Sequence, residues 1–254
     1  MHDLVAKHAS FMKDIQNQYD NRRINIKKVG IKGVTYPITV LDKAHQEQKT
    51  IARVSMYVNL PHHFKGTHMS RFVEILEGFH VRFNLRAFQH ILEEMKRRLD
   101  AEAAHVEMAF PYFFAPTNKQ DARFSRYDCR LYGSLDGKLD LCIEVDVPVP
   151  AFPGGGERSK LDCLKQCLWG EATVSVRMRN FMWIEDLIDL IETGLRQTEE
   201  GSNSIVDRCR AIGAILARAD AFVWYKIVLR NLVQDQTLFA TVEWPEVGKH
   251  SIRL

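Results

Sequence analysis

The stretch Ile51-Ala52-Arg53-Val54-Ser55-Met56-Tyr57-Val58-Asn59-Leu60-Pro61-His62-His63-Phe64-Lys65-Gly66-Thr67-His68-Met69-Ser70-Arg71-Phe72-Val73-Glu74-Ile75-Leu76 changes period in its middle. Before Pro61, Val54, Met56, Val58 and Leu60 recur at every second position, the spacing of a half-buried strand. From Ser70 onward, Phe72, Val73, Leu76 and Phe79 suit one face of a short helix. A dense polar cluster joins the two. Backbone amides at a helix start, with Lys65 and Arg71 nearby, suit a phosphate or carboxylate. Lys65, Thr67, His68, Ser70 and Arg71 are therefore the candidate substrate-binding residues. The competing reading is a plain helix cap, with Thr67 or Ser70 as N-cap and solvated charges around it.

Outward from this point, Tyr36 to Leu41 reads as a preceding strand, and residues 1–33 read as a polar surface arm with little periodicity. Phe88, Ile91, Leu92, Met95 and Leu99 place a second helix after the first. His105 to Phe113 and Arg123 to Leu135 return to β character, and Leu135-Asp136-Gly137 turns the chain into Leu139 to Val149. Ala172 to Met178 follows as a strand. Helices are expected at Trp183 to Leu195, Ile205 to Ala217 and Phe222 to Val233, before a closing strand at Thr237 to Trp244. In outline this is an α+β chain built from a ββααββ unit used twice, divided as arm 1–33, first unit 34–135 and second unit 136–254.

Composition narrows the function. The net charge is +3 over 254 residues, and the basic side chains are scattered among acids, which argues against a nucleic-acid partner. Nowhere do eighteen uncharged apolar residues run together, and the N-terminus lacks a basic flank followed by an apolar core. Five cysteines at irregular spacing do not form a disulfide framework. The expectation is a cytoplasmic protein with no membrane partner.

Three further groups merit weighing. Pro153-Gly154-Gly155-Gly156-Glu157-Arg158-Ser159-Lys160 has neither the glycine spacing nor the Lys-Ser order of a phosphate-cradling loop, and reads as a surface turn. Cys163 and Cys167 share one face if their segment is helical, so they are candidate metal ligands; structural thiols are the alternative. Glu246 and His250 form a candidate acid/base pair. His105 reads as a half-buried imidazole on a strand.

Several linked motifs then resemble one family, the prokaryotic type IB GTP cyclohydrolases. They are Val29-Gly30-Ile31-Lys32-Gly33, Tyr36-Pro37-Ile38-Thr39-Val40-Leu41-Asp42, Met56 to Pro61, Lys65 to Leu76, Ala104-His105-Val106-Glu107, Phe110-Pro111-Tyr112-Phe113, Val145 to Val149 and Trp183 to Ile188. The resemblance covers most of residues 24–192. It implies a tunnelling fold (T-fold), with two ββααββ units whose antiparallel sheets form a barrel on oligomerisation, commonly a tetramer. It also implies a reaction that opens the imidazole ring of GTP, releases formate and recloses to dihydroneopterin triphosphate by means of a metal-activated water.

The chain departs from that pattern in places. Where the family has Leu-Cys-Pro-Cys-Ser-Lys, this chain reads Pro150-Ala151-Phe152-Pro153-Gly154-Gly155-Gly156; where the family has a metal-ligating His, it reads Lys165 to Gly170. The C-terminal motif keeps at best Glu246 and His250. The expectation is a diverged member with weak or no cyclohydrolase activity, which binds a purine or pterin nucleotide or pairs with an active relative. An active enzyme is the alternative, with zinc, iron or manganese held at a site rebuilt from Cys163, Cys167 and His250. A purely structural assembly partner is a second alternative.

Overall fold

A computed structural model describes residues 26–44, 46–60, 69–78, 85–114, 125–150, 168–197, 204–233 and 236–246. The elements are β1 (Ile26–Leu41), β2 (Glu47–Leu60), α1 (Met69–Glu77), α2 (Leu85–Leu99), β3 (Ala103–Phe114), β4 (Ser125–Asp136), β5 (Lys138–Pro150), β6 (Leu168–Met178), α3 (Ile184–Arg196), α4 (Ile205–Ala219), β7 (Phe222–Val233) and β8 (Gln236–Trp244).

The expectation of two ββααββ units, each with its own antiparallel sheet, is corrected here. All the described strands form one eight-stranded sheet in the order β1 to β8, with every neighbouring pair antiparallel. The physical reason lies at the middle hairpin. Gly137 sits at φ +67°, which a tight turn needs and other residues resist, so β4 folds straight back onto β5. The ladder then runs from Asp136–Lys138 to Asp128–Asp146 without a break, and the halves share backbone hydrogen bonds.

Phe222–Val233, expected to be a helix, is strand β7. Asp220 at φ +46° ends α4, and the chain then alternates, with Tyr225, Ile227 and Leu229 buried and Trp224, Lys226 and Val228 more open. Aromatic and β-branched residues at that period favour a pleated surface. The first strand also begins earlier than its periodicity indicates, because a register shift between Ile31 and Val34, with Gly33 at φ +71°, breaks the alternation. Gly30 is required for close approach, since a Cβ there would lie 1.8 Å from the Met56 carbonyl oxygen.

The helices cover one face of the sheet. Phe88 and Leu92 of α2 press on Gly133 of β4, and Gly213 of α4 lies against Ile227 of β7. Through the cross-strand register Leu131–Ile143–Val176, one row from Val174–Ile227, both contacts fall on the same side. Val54, Met56, Val106, Met108, Val145, Val174 and Leu229 complete that core. Two buried tyrosines rivet α3 to it. Tyr112 and Tyr127 stand opposite each other on β3 and β4, and their hydroxyls donate to Glu185 (2.6 Å) and Glu192 (2.7 Å). The two glutamates are seven residues apart on α3, and so share a helix face. Glu185 also accepts from the Lys43 backbone amide at 2.7 Å, which draws in the β1–β2 turn.

Candidate functional site

The face that the helices leave open carries side chains from alternate positions of the strands, polar ones such as Ser55, Glu107 and Arg130 beside exposed apolar ones such as Ile51 and Phe113. Two motifs distant in sequence meet there. Tyr57 of β2 pairs with His105 of β3, Ser55 pairs with Glu107, and Gly30 of β1 lies beside Tyr57. The Lys28 ammonium stands 3.8 Å over the Tyr57 ring and 3.9 Å from Glu107. This corner lies three residues before the end of β2, where the chain enters the connection to α1. His105 is half-buried, as its place on the strand indicates, and has no hydrogen-bond partner among the described residues.

Further along the same face, Arg130 of β4 donates through Nε to Glu144 (2.5 Å) and through Nη2 to Asp146 (2.7 Å) on β5. Ser175 and Thr173 of β6 donate to the same carboxylates at 2.6 and 2.8 Å. Burial would raise the Glu144 carboxyl, but the Ser175 and Arg130 donors outweigh it and hold that group below the usual carboxylate range. Burial pushes the Tyr132 hydroxyl up, and the Glu144 charge adds to the effect. Sequence reading missed this network. Its signal was present in the strict alternation of Arg130, Tyr132, Glu144, Asp146, Thr173 and Ser175 with apolar residues, but only the cross-strand register shows that they converge.

The candidate residues are placed as follows. Ser70 and Arg71 lie in the first turn of α1; Ser70 is the second residue of the helix, so it is not the N-cap. Arg71 Nη1 reaches the Arg98 carbonyl at the end of α2, at 3.4 Å. Lys65, Thr67, His68, Cys163, Cys167 and His250 lie outside the described residues. Glu246 is exposed, just beyond β8.

Among the described residues, no three His, Cys, Asp or Glu side chains converge closely enough to share a metal ion. The described thiols are free, and burial pushes Cys142 and Cys209 up to about 11 and Cys129 further still. Burial thus favours the neutral thiol at each of them in the metal-free fold. The described residues therefore do not fit the divalent ion that the resemblance implies. Among them, too, no helix is long and apolar enough to cross a membrane.

Comparison with known proteins places these observations. Solved structures of urate oxidase share the fold. The enzyme from Bacillus sp. TB-90 has a TM-score of 0.55 at 10% identity, covering 86% of this chain and 99% of that one. The uricase of Arthrobacter globiformis has a TM-score of 0.51 at 10% identity, covering 87% and 94%. In sequence, proteins named GTP cyclohydrolase FolE2 are much nearer. The one from Syntrophotalea carbinolica is 39% identical over 92% of this chain and 96% of the relative. That from Syntrophus aciditrophicus is 39% identical over 91% and 99%, and that from Syntrophobacter fumaroxidans is 45% identical over 71% and 72%. The family model for type I GTP cyclohydrolase folE2 matches residues 12–200. With relatives alike over nearly their whole length and a family model spanning most of the chain, this protein belongs to the type I GTP cyclohydrolase FolE2 family.

Proposed function

We propose that the chain is a GTP cyclohydrolase, which hydrolyses the imidazole ring of GTP on the way to 7,8-dihydroneopterin triphosphate, within pterin and folate-type metabolism. The observation that carries this reading is the near end-to-end likeness, 39% over 92% of the chain, to a protein named for that activity. The geometry supports it at one corner. His105, with no partner among the described residues, and Glu107 stand together beside the strand that leads to the Lys65–Arg71 segment. An imidazole suits proton transfer, and the basic segment suits the triphosphate. The family's metal enters no step derived from the described side chains.

A second reading is favoured by a specific feature of the sequence. No thiol follows Val149 until Cys163, and no imidazole lies between Gly154 and Gly170. In that reading the chain binds a purine or pterin nucleotide, or pairs with an active relative, and turns over weakly or not at all. Either reading goes with a cytoplasmic homo-oligomer, a tetramer by family resemblance, or a hetero-oligomer with such a relative. One experiment separates them. The purified chain is given GTP with manganese, iron or zinc, neopterin fluorescence is followed, and GTP binding is measured by equilibrium dialysis. Robust turnover establishes the first reading, and binding without turnover the second. Absence of both overturns the two together.

A further inference from the structure

The open face holds a second polar feature, away from the Tyr57–His105 corner. It is a pocket of about 420 Å³ lined by Thr35, Arg53, Ala109, Pro111, Arg126, Asp128 and Arg130 among others. Its shape follows from register. Arg53 on β2 pairs with Ala109 on β3, and Ala109 pairs with Arg130 on β4. Two long guanidinium side chains thus stand two strand spacings apart, ~10 Å, with only a methyl group between them. That gap is a socket with a shallow floor, and Arg126 closes one end from two outward positions along β4, with Asp128 between it and Arg130.

The donors are left over from the structural network. Arg130 commits Nε and Nη2 to Glu144 and Asp146, which fixes its plane and leaves Nη1 uncommitted in that network. Arg126 commits Nε and Nη2 to one oxygen of Asp128, at 3.1 and 2.8 Å. Arg53 makes no hydrogen bond or ion pair among the described residues, and its stem passes 3.9 Å from the point where a Gly33 Cβ would stand. Three carboxylates, Asp128, Glu144 and Asp146, thus engage Arg126 and Arg130, and Arg53 is the guanidinium of the three that makes no hydrogen bond or ion pair among the described residues.

We propose that this pocket binds a tetrahedral oxyanion of the phosphate class, bracketed by Arg53 and Arg130 over Ala109, with Arg126 as a third donor. The planar fork of Arg53, committed to no carboxylate, matches a pair of phosphate oxygens, and the N–H donors that Arg130 and Arg126 have left over are held in place beside it by their ion pairs. The anion is either free phosphate or the phosphoryl end of a nucleotide. The site stands whether or not the chain turns over GTP.

The test is calorimetric titration of the full chain with inorganic phosphate and pyrophosphate at fixed ionic strength, with chloride as control. Arg53→Ala should weaken pyrophosphate on the order of tenfold or more, as loss of a charge-assisted contact does. Ala109→Leu should weaken it comparably without any change of charge, by filling the socket. The Arg53 Nε–H resonance of the unaltered chain should shift on titration, a readout independent of either variant's folding. Competition by GTP but not guanosine marks a nucleotide source, and binding untouched by GTP marks a free anion; both support the site. No saturable binding, or a Kd equal to wild type in both variants with a stationary Arg53 signal, overturns it.

Discussion

Replacing Tyr112 by Phe deletes one hydroxyl and leaves the ring in place, so it isolates one of the bonds that hold α3 to the sheet. Tyr112 is 1% exposed and Glu185 5%, and the bond between them measures 2.6 Å. Among the described residues the carboxylate would keep the Lys43 backbone amide as donor, with little water to replace the phenol. A hydrogen bond to a charged group, with its acceptor left short of a partner in a buried site, costs about 2–3 kcal/mol. A chain of 254 residues unfolds with an entropy of about 0.5 kcal/mol/K, which converts that cost to a Tm lower by about 4–6 °C. The assay is thermal unfolding followed by circular dichroism at pH 7, with Tyr132→Phe as control. Tyr132 lies on the open face, and its hydroxyl is 3.4 Å from Glu144, too long to contribute much. Equal shifts for the two variants, or a shift below about 1 °C for Tyr112→Phe, would refute the reasoning, since the desolvation argument of buried polar groups would then not apply here.

Gly194→Ala places a Cβ 2.7 Å from Ile212 Cα where α3 meets α4; forcing the helices apart should cost at least about 1–3 kcal/mol, read as a lowered urea midpoint. Burial raises the thiols of Cys142 and Cys209 from 9.0 to about 11, and it is also the first cause of the rise at Tyr112 and Tyr127. The neutral forms are favoured in the fold, so their contribution is complete below the ordinary thiol range and is lost as pH climbs through about 9 to 11; urea midpoints at pH 7, 9 and 10.5 should fall in that order. Arg71→Ala should weaken an anionic ligand at the β2–α1 connection by roughly 1.5–3 kcal/mol in equilibrium dialysis. Unchanged affinity would return that segment to a helix cap, with Arg71 serving the end of α2 through its 3.4 Å contact to the Arg98 carbonyl.

Much of the local structure was legible because it rests on periodicity. Phe88, Ile91, Leu92, Met95 and Leu99 are all buried on α2, and the span from Trp183 to Leu195 is α3 with Trp183 as its N-cap. Phe222–Val233 was misread because a short run rich in apolar residues fits either period, and pairing with β6 and β8 decided for strand. The ionic network was not legible at all. Arg130, Glu144 and Ser175 are separated by 14 and then 31 residues, and nothing local says that they share one row of a sheet.

The amino-acid sequence by itself determined the family, the strand-to-helix connection with its basic residues, and most elements, because helical and strand periods and linked motifs are written locally in side-chain order. The tertiary structure alone decided that the halves join in one sheet, that Tyr57 meets His105, and that Arg53 and Arg130 flank a bare alanine. Those facts depend on cross-strand register, which is fixed by tight turns such as Gly137, by glycines such as Gly30 where backbones touch, and by burial of one face against the helices.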